Sequence, residues 1–150
     1  MIEIDERVFT GESYGILCDD ILKINTKIRY AGVFDFTHSV GKMQKGVTSN
    51  FTPKETQQSG RQAFVRWDSR RMHAGKTGEP ICAVGKYENL YRITLPLNKF
   101  NLILVSTELD IEPFEIVEKI SELKQKYILN HTQSSFNINF STKNLKFKSI

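Results

Sequence analysis

Apolar residues recur at helical spacing in three stretches of the chain and form shorter β-branched or aromatic runs in five others. The predicted helices cover residues 12–25, 53–72 and 111–128. The predicted strands cover residues 28–36, 40–47, 81–87, 90–97 and 102–108. The order α-β-β-α-β-β-β-α predicts an α+β fold, in which a five-stranded antiparallel sheet carries helices packed on its faces.

Alternation within the strands predicts which side chains face the core. In the first strand, the side chains predicted to share one face are those of Ile28, Tyr30, Phe34 and Phe36. In the fourth strand, the side chains expected to point toward the core are those of Tyr91, Ile93, Leu95 and Leu97. Its polar residues Arg92 and Thr94 are expected to point outward.

The second helix begins with a clear local signal. Thr52-Pro53-Lys54-Glu55 is a capping box with proline at the first helical position. Gly60 is a weak point of this helix and could divide it into two pieces, because glycine costs about 1 kcal/mol relative to alanine. Residues 75–80, which contain two glycines and a proline, are predicted to form a loop.

The two ends of the chain differ from the stretch between them. Residues 1–11 are predicted to be an N-terminal extension, and residues 12–128 the folded domain. Residues 129–150 are polar and basic, but aromatic and aliphatic residues alternate at Phe136, Ile138 and Phe140. This segment is therefore predicted to be either a C-terminal tail or an added edge strand.

Composition is that of an ordinary soluble domain. The chain has 150 residues, of which 39% are hydrophobic and 25% charged, with a formal net charge of +4. Its start is charged, and the longest apolar run, residues 102–105, is far shorter than the roughly 18 residues of a membrane span. We therefore predict a cytoplasmic protein that does not enter the membrane.

Two patterns resemble functional motifs but lack essential residues. Gly75-Lys76-Thr77 looks like the end of a phosphate-binding loop, but Arg70 stands where the motif needs its first glycine. Neither Cys18 nor Cys82 has a partner at metal-ligand spacing, and both are expected to pack as small hydrophobic residues. We predict no catalytic residue, no metal site and no cofactor.

Two pairs of neighbouring carboxylates are the candidates for acid–base catalysis. Asp19 and Asp20 are predicted to lie on the solvent side of the first helix. Glu108 and Asp110 precede the last helix and are expected to cap it. Neither pair indicates acid–base catalysis, so the chain is predicted not to be an enzyme.

The element order and several segments resemble the roadblock/dynein-light-chain family, whose fold is related to profilin. The segments that carry the resemblance are Ile21–Val33, the arginine-rich second helix, Tyr87-Glu88-Asn89, Leu95-Pro96-Leu97 and Leu104-Val105-Ser106. The chain is most similar to an uncharacterised archaeal group of roadblock-like proteins. The resemblance implies a non-enzymatic adaptor or regulatory platform that forms homodimers and binds small GTPases or assembly partners. Helix 53–72 is more basic, and the segment after 128 longer, than the family pattern.

A cluster of basic residues and one tryptophan on the second helix is the candidate partner-binding site. Its members are Arg61, Arg66, Trp67, Arg70 and Arg71. We expect Arg61 to lie close to the line of Arg66 and Arg70, with Trp67 beside them. Arginine and tryptophan are frequent anchors of protein interfaces, so an acidic protein surface is the predicted partner. The alternatives are a solvated helix face with Trp67 in the core, and weak nucleic-acid binding.

Aromatic residues on the strands define a second candidate, a ligand pocket over the sheet. The proposed lining residues are Tyr30, Phe34, Tyr87 and Tyr91. Gly32 and Gly85 interrupt the same strands, as glycines do where another group approaches the backbone closely. The alternative is that these rings simply pack beneath the helices. The pocket would make the chain a small-ligand sensor instead of an adaptor.

Overall fold

The computed structural model describes the backbone of residues 12–143 and the side chains of residues 13–129. In chain order the elements are α1 (Glu12–Leu22), β1 (Ile28–Phe34), β2 (Ser39–Met43), α2 (Pro53–Arg71), α3 (Ala74–Thr77), β3 (Ala83–Lys86), β4 (Tyr91–Pro96), β5 (Leu102–Thr107) and α4 (Pro113–Lys143). The strands form one antiparallel sheet in the order β2-β1-β5-β4-β3. This confirms the predicted α+β class and strand count, and it adds the short helix α3 where a loop was expected.

Helices α1 and α4 cover one face of the sheet and bury the larger apolar core. The helices contribute Tyr14, Leu17, Cys18, Ile21, Ile116, Val117, Ile120 and Tyr127. The strands contribute Ile28, Ala31, Val33, Ile93, Leu95, Ile103 and Val105. These are the apolar stripes that periodicity predicts, so this half of the fold follows from amphipathic spacing.

Helix α2 packs on the opposite face of the sheet over a smaller core. That core contains Phe34, Ala63, Trp67, Leu102 and Leu104, with Tyr30, Phe64 and Ala83 packed against it. Arg92 and Thr94 project to this side and are half-buried, so the expectation that they point to solvent is wrong. The reason is that helices cover both faces of the sheet.

Helix α2 is continuous from Pro53 to Arg71. The predicted capping box is present: the Glu55 amide donates to Thr52 Oγ1 at 3.2 Å, and the Thr52 amide donates to Glu55 Oε1 at 2.9 Å. The possible break at Gly60 does not occur. Gly60 is buried against Phe34, and this packing offsets the free-energy cost of a glycine within a helix.

A β-bulge at Arg29 changes the face on which the first strand starts. Ile28 pairs with Thr107 and Tyr30 pairs with Ser106, so one extra residue separates the two pairs. As a result Ile28 packs in the α1/α4 core, while Tyr30 packs on the α2 side. Phe36 lies beyond the end of β1 and is exposed. The predicted common face of Ile28, Tyr30, Phe34 and Phe36 is therefore wrong.

The last helix begins at Pro113, two residues after the predicted start, and it is capped differently and extends further than predicted. The Phe114 amide donates to Glu112 Oε1 at 3.1 Å. The carboxylates expected to cap this helix instead form ion pairs, Glu108 with Arg29 and Asp110 with Lys27. Helix α4 continues to Lys143, so the backbone of residues 129–143 is helical and does not form an edge strand, while a C-terminal tail stays a prediction. The predicted extension 1–11 and residues 144–150 lie outside the described residues.

In the part of the chain that the structure describes, every helix is too short or too polar to cross a membrane.

Candidate functional site

The α2-facing side of the sheet carries two rows of side chains that the strand register aligns. One row runs across Met43, Tyr30, Ser106, Arg92 and Gly85. The adjacent row runs across Gly41, Gly32, Leu104, Thr94 and Ala83. Because small residues occupy much of both rows, the sheet leaves open space beneath the helix.

The glycines in these rows allow Tyr30 to lie flat on the sheet. A Cβ on Gly41 would be 2.0 Å from the Tyr30 hydroxyl oxygen, and one on Gly32 would be 2.4 Å from it. The contact at Gly85 is looser, since a Cβ there would be 3.2 Å from Cε1 of the Tyr87 ring. Burial raises the pKa of Tyr30, which therefore keeps its proton at neutral pH.

A cavity of about 410 Å³ lies between these rows, α2 and the segment that joins β2 to α2. Tyr30, Phe34 and Tyr87 of the predicted pocket line it. Tyr91 does not line it, since this ring alternates to the other face of β4, where Lys86 Nζ lies 5.7 Å from its centroid. The lining that sequence reasoning missed includes Arg29, Phe51, Ser59, Arg66, Arg70, Arg92 and Ser106.

Arg92 is the charged group on the cavity floor. Its guanidinium donates to Ser59 Oγ on α2 and lies 6.0 Å from the ring centroids of both Phe51 and Tyr87. These contacts hold the guanidinium near two aromatic rings, and no ion pair of the described residues joins it to a carboxylate. Arg29 differs, because its Nη1 donates to Glu108 Oε1 at 2.7 Å and its charge is balanced.

The helix wall of the cavity carries two further cations, Arg66 and Arg70. They are one turn apart on α2 and both are exposed. Arg70 lies 6.0 Å from the centroid of the Trp67 ring. Among the ion pairs of residues 13–129, none includes Arg66 or Arg70.

The remaining arginines of the predicted cluster point elsewhere. Five residues advance a helix by about 140° beyond a full turn, so Arg61 does not share a line with Arg66. Arg61 is exposed and lines neither this cavity nor a second one that Arg71 lines with Glu79. The expected common face of Arg61, Arg66 and Arg70 is therefore wrong. Division of the arginines among different sides of α2 also disfavours a continuous nucleic-acid track.

Trp67 belongs to the core and not to the surface. Only 5% of it is exposed, and it packs with Phe34, Leu102 and Leu104. The prediction that Trp67 anchors a partner is thus wrong. A single sequence could not decide this, because tryptophan suits both an interface and a core.

The cysteines of the described chain have the character of packing groups. Cys18 is fully buried, and burial raises its pKa to about 12. Burial also raises the pKa of the partly exposed Cys82. Among the described residues, no three His, Cys, Asp or Glu side chains converge to form a metal site.

Comparison with known proteins identifies the architecture. No protein-family model matches the sequence, and no curated protein matches it. The gliding protein MglB of Thermus thermophilus superposes with a TM-score of 0.63 at 11% identity, over 83% of this chain and 94% of that protein. This chain has the roadblock/LC7 fold.

Two further solved structures agree with this. MglB of Myxococcus xanthus gives a TM-score of 0.63 at 9% identity, over 82% of this chain and 97% of that protein. A roadblock/LC7 domain of Streptomyces avermitilis gives 0.59 at 8% identity, over 75% of this chain and 92% of that domain. At these identities the similarity is one of fold.

Proposed function

We propose that this chain is a non-enzymatic protein-interaction module of the adaptor or regulatory type, which pairs with a second copy of itself. The observation that carries the proposal is the outer side of α2. There Val65 and Met72 are 64% and 75% exposed. They are seven residues apart, or about two turns, so Met72, the C-cap residue of α2, lies in line with Val65. The two form a short apolar stripe on a side of the helix that otherwise carries exposed polar residues.

The free edge of the sheet supports pairing with a second copy. Strand β3 (Ala83–Lys86) lies at one edge, where its outer backbone groups can pair with another strand. The last turns of α2 lie near this edge, since Trp67 and Ala83 belong to the same packed cluster. A two-fold symmetric dimer would then use strand edge and helix stripe together. One solved MglB structure with this fold is described as having a tetrameric arrangement.

Charge indicates the kind of further partner. The net charge of the chain is +4, and Arg61 projects beside the apolar stripe, four residues before Val65. An acidic protein surface, such as that of a small GTPase, fits this combination. The resemblance to an archaeal roadblock-like group and the cytoplasmic location both stay predictions.

Light scattering of the full chain tests the pairing. We expect a mass near twice 17.3 kDa for the wild type and near 17.3 kDa for the double variant Val65→Glu/Met72→Glu. The matched control is Ile16→Glu, which places the same charge on an exposed apolar residue of α1, across the sheet. This control should remain a dimer.

Either of two outcomes would overturn the pairing. One is a wild-type chain that stays monomeric at all concentrations tested. The other is a dimer that persists in Val65→Glu/Met72→Glu, which would move the interface away from α2. Because both substituted residues are exposed, the variant should fold normally, and its circular dichroism spectrum checks this.

A further inference from the structure

The cavity between α2 and the sheet is separate from the surface proposed for pairing. Val65 and Met72 lie on the outer side of α2, whereas Arg66 and Arg70 line the cavity. A volume of about 410 Å³ lies in the range of small-molecule sites. The pairing interface therefore does not account for this space.

The cavity offers aromatic and apolar contact surface. Tyr30, Phe34 and Leu104 line its inner part. Phe51 and Tyr87 lie beside it with 46% and 52% of their surface exposed. Rings that are half-exposed beside a cavity can stack on an aromatic ligand without moving out of a packed core.

Its charge is positive and only partly balanced. Four arginines line the cavity, and of these only Arg29 has a carboxylate partner among the described residues. The cavity lining includes one acidic side chain, Glu88. Arg66, Arg70 and Arg92 therefore have guanidinium groups that can bind an anion, and guanidinium matches the planar oxygens of carboxylates and the oxygens of phosphates or sulfonates.

We propose that this cavity binds a small organic anion that carries an aromatic ring system. The ring contacts Tyr87, Phe51 and the apolar floor. The anionic group is held by Arg66 and Arg70 on the helix wall. Arg92, which lies near both rings and donates a hydrogen bond to Ser59, connects the aromatic and anionic parts of the site.

Two fluorescent probes separate the aromatic from the anionic requirement. Anilinonaphthalene sulfonate has the ring system and a negative charge, and phenylnaphthylamine has the same rings without the charge. Titrated into the full-length chain, the sulfonate should bind saturably at one site per chain. In Arg66→Gln/Arg70→Gln its affinity should fall at least about tenfold, since tenfold corresponds to the loss of a single charge-assisted hydrogen bond and the variant removes both arginines. The affinity of the neutral probe should stay nearly unchanged.

Two controls locate the site. Arg61→Gln removes an exposed arginine of the same helix that does not line the cavity, and it should leave the binding of both probes unchanged. Ser106→Phe places a ring on the cavity floor between Tyr30 and Arg92. This variant should therefore bind both probes with lower affinity.

The proposal is overturned by any of three results. The wild type could show no saturable binding of the sulfonate. Arg66→Gln/Arg70→Gln could bind the sulfonate as tightly as the wild type does, which would place the probe on other exposed aromatic residues. A folded Ser106→Phe variant could bind both probes normally. The double arginine variant changes only exposed side chains, so it decides the question even if Ser106→Phe fails to fold.

Discussion

Single glycines decide where the aromatic rings on the α2 side can lie. Tyr30 occupies the positions that a Cβ would take on Gly32 and Gly41, and Phe34 occupies that of Gly60. These three glycines lie on two strands and one helix, so no local pattern connects them. Their shared role follows only from the packing of two rings against backbone.

Gly60→Ala is expected to destabilise the protein even though alanine is the better helix former. Its Cβ would lie 2.2 Å from Cδ2 of Phe34, which is fully buried. Overpacking of this kind costs about 1–3 kcal/mol, against a gain of about 1 kcal/mol in helix propensity. We expect the free energy of unfolding, measured by urea denaturation, to fall by about 1 kcal/mol.

Gly75→Ala is the matched control for this prediction. Gly75 also lies in a helix, α3, but nothing is within 4 Å of where its Cβ would be. The control should be as stable as the wild type or slightly more stable. A Gly60→Ala protein that equals or exceeds wild-type stability would show that moving Phe34 costs no more than the gain of about 1 kcal/mol in helix propensity.

At the scale of elements, α2 owes its start to local chemistry. Its first turns, residues 53–59, have no fully buried side chain, so core packing does not hold them. The reciprocal bonds between Thr52 and Glu55 satisfy two backbone amides at the helix start. This is why the sequence alone predicted where the helix begins.

Thr52→Ala should lower the free energy of unfolding by about 1 kcal/mol, because it removes the oxygen that accepts from the Glu55 amide. Thr52→Ser keeps an oxygen at the same position and should restore wild-type stability. Thermal unfolding followed by circular dichroism measures both variants. Equal losses in the two would contradict a capping role, as would no loss in the alanine variant.

Residues 129–143 show that a short local pattern does not fix the secondary structure of a segment. Phe136, Ile138 and Phe140 alternate as in a strand, yet the backbone there continues α4. A short alternating run is compatible with more than one structure, and a preceding helix can continue through it. The start of α4 was predictable because Pro113 lies in its first turn.

At the scale of the whole molecule, the two faces of the sheet differ in the size of the apolar core that packs on them. Among the described residues, seventeen buried hydrophobic residues form the core beneath α1 and α4, and five form the core beneath α2. The cavity lies beneath α2 as well. Since buried apolar area is the main source of stability, the α2 layer should open at lower free energy than the rest.

Hydrogen exchange followed by mass spectrometry tests whether the α2 layer opens at lower free energy than the rest. Peptides from the α2 region (Pro53–Arg71) should exchange faster than peptides from α1 or from residues 113–128 of α4. Helix α1 serves as the internal control, because it is shorter than α2 and would fray more readily if length alone decided the rate. Equal protection of α1 and α2 would show that the molecule opens only as one unit.

The sequence by itself determined the element order apart from the short helix α3, the fold class and the apolar stripes of α1 and α4. These depend on interactions between residues a few positions apart, such as capping, periodic burial and short strand connections. The same local information predicted Tyr30, Phe34, Tyr87 and Tyr91 as candidate pocket residues, and the first three line the cavity. Whether a ligand binds there stays a prediction.

Only the tertiary structure decided which groups share a surface. It buried Trp67, turned the side of α2 that carries Arg66 and Arg70 toward the sheet, and left a cavity that Arg66, Arg70 and Arg92 border. It also placed Ile28 on the opposite face from Tyr30 through one bulged residue. These outcomes depend on how a helix is rotated over a sheet and on strand register, which distant contacts set and local periodicity does not record.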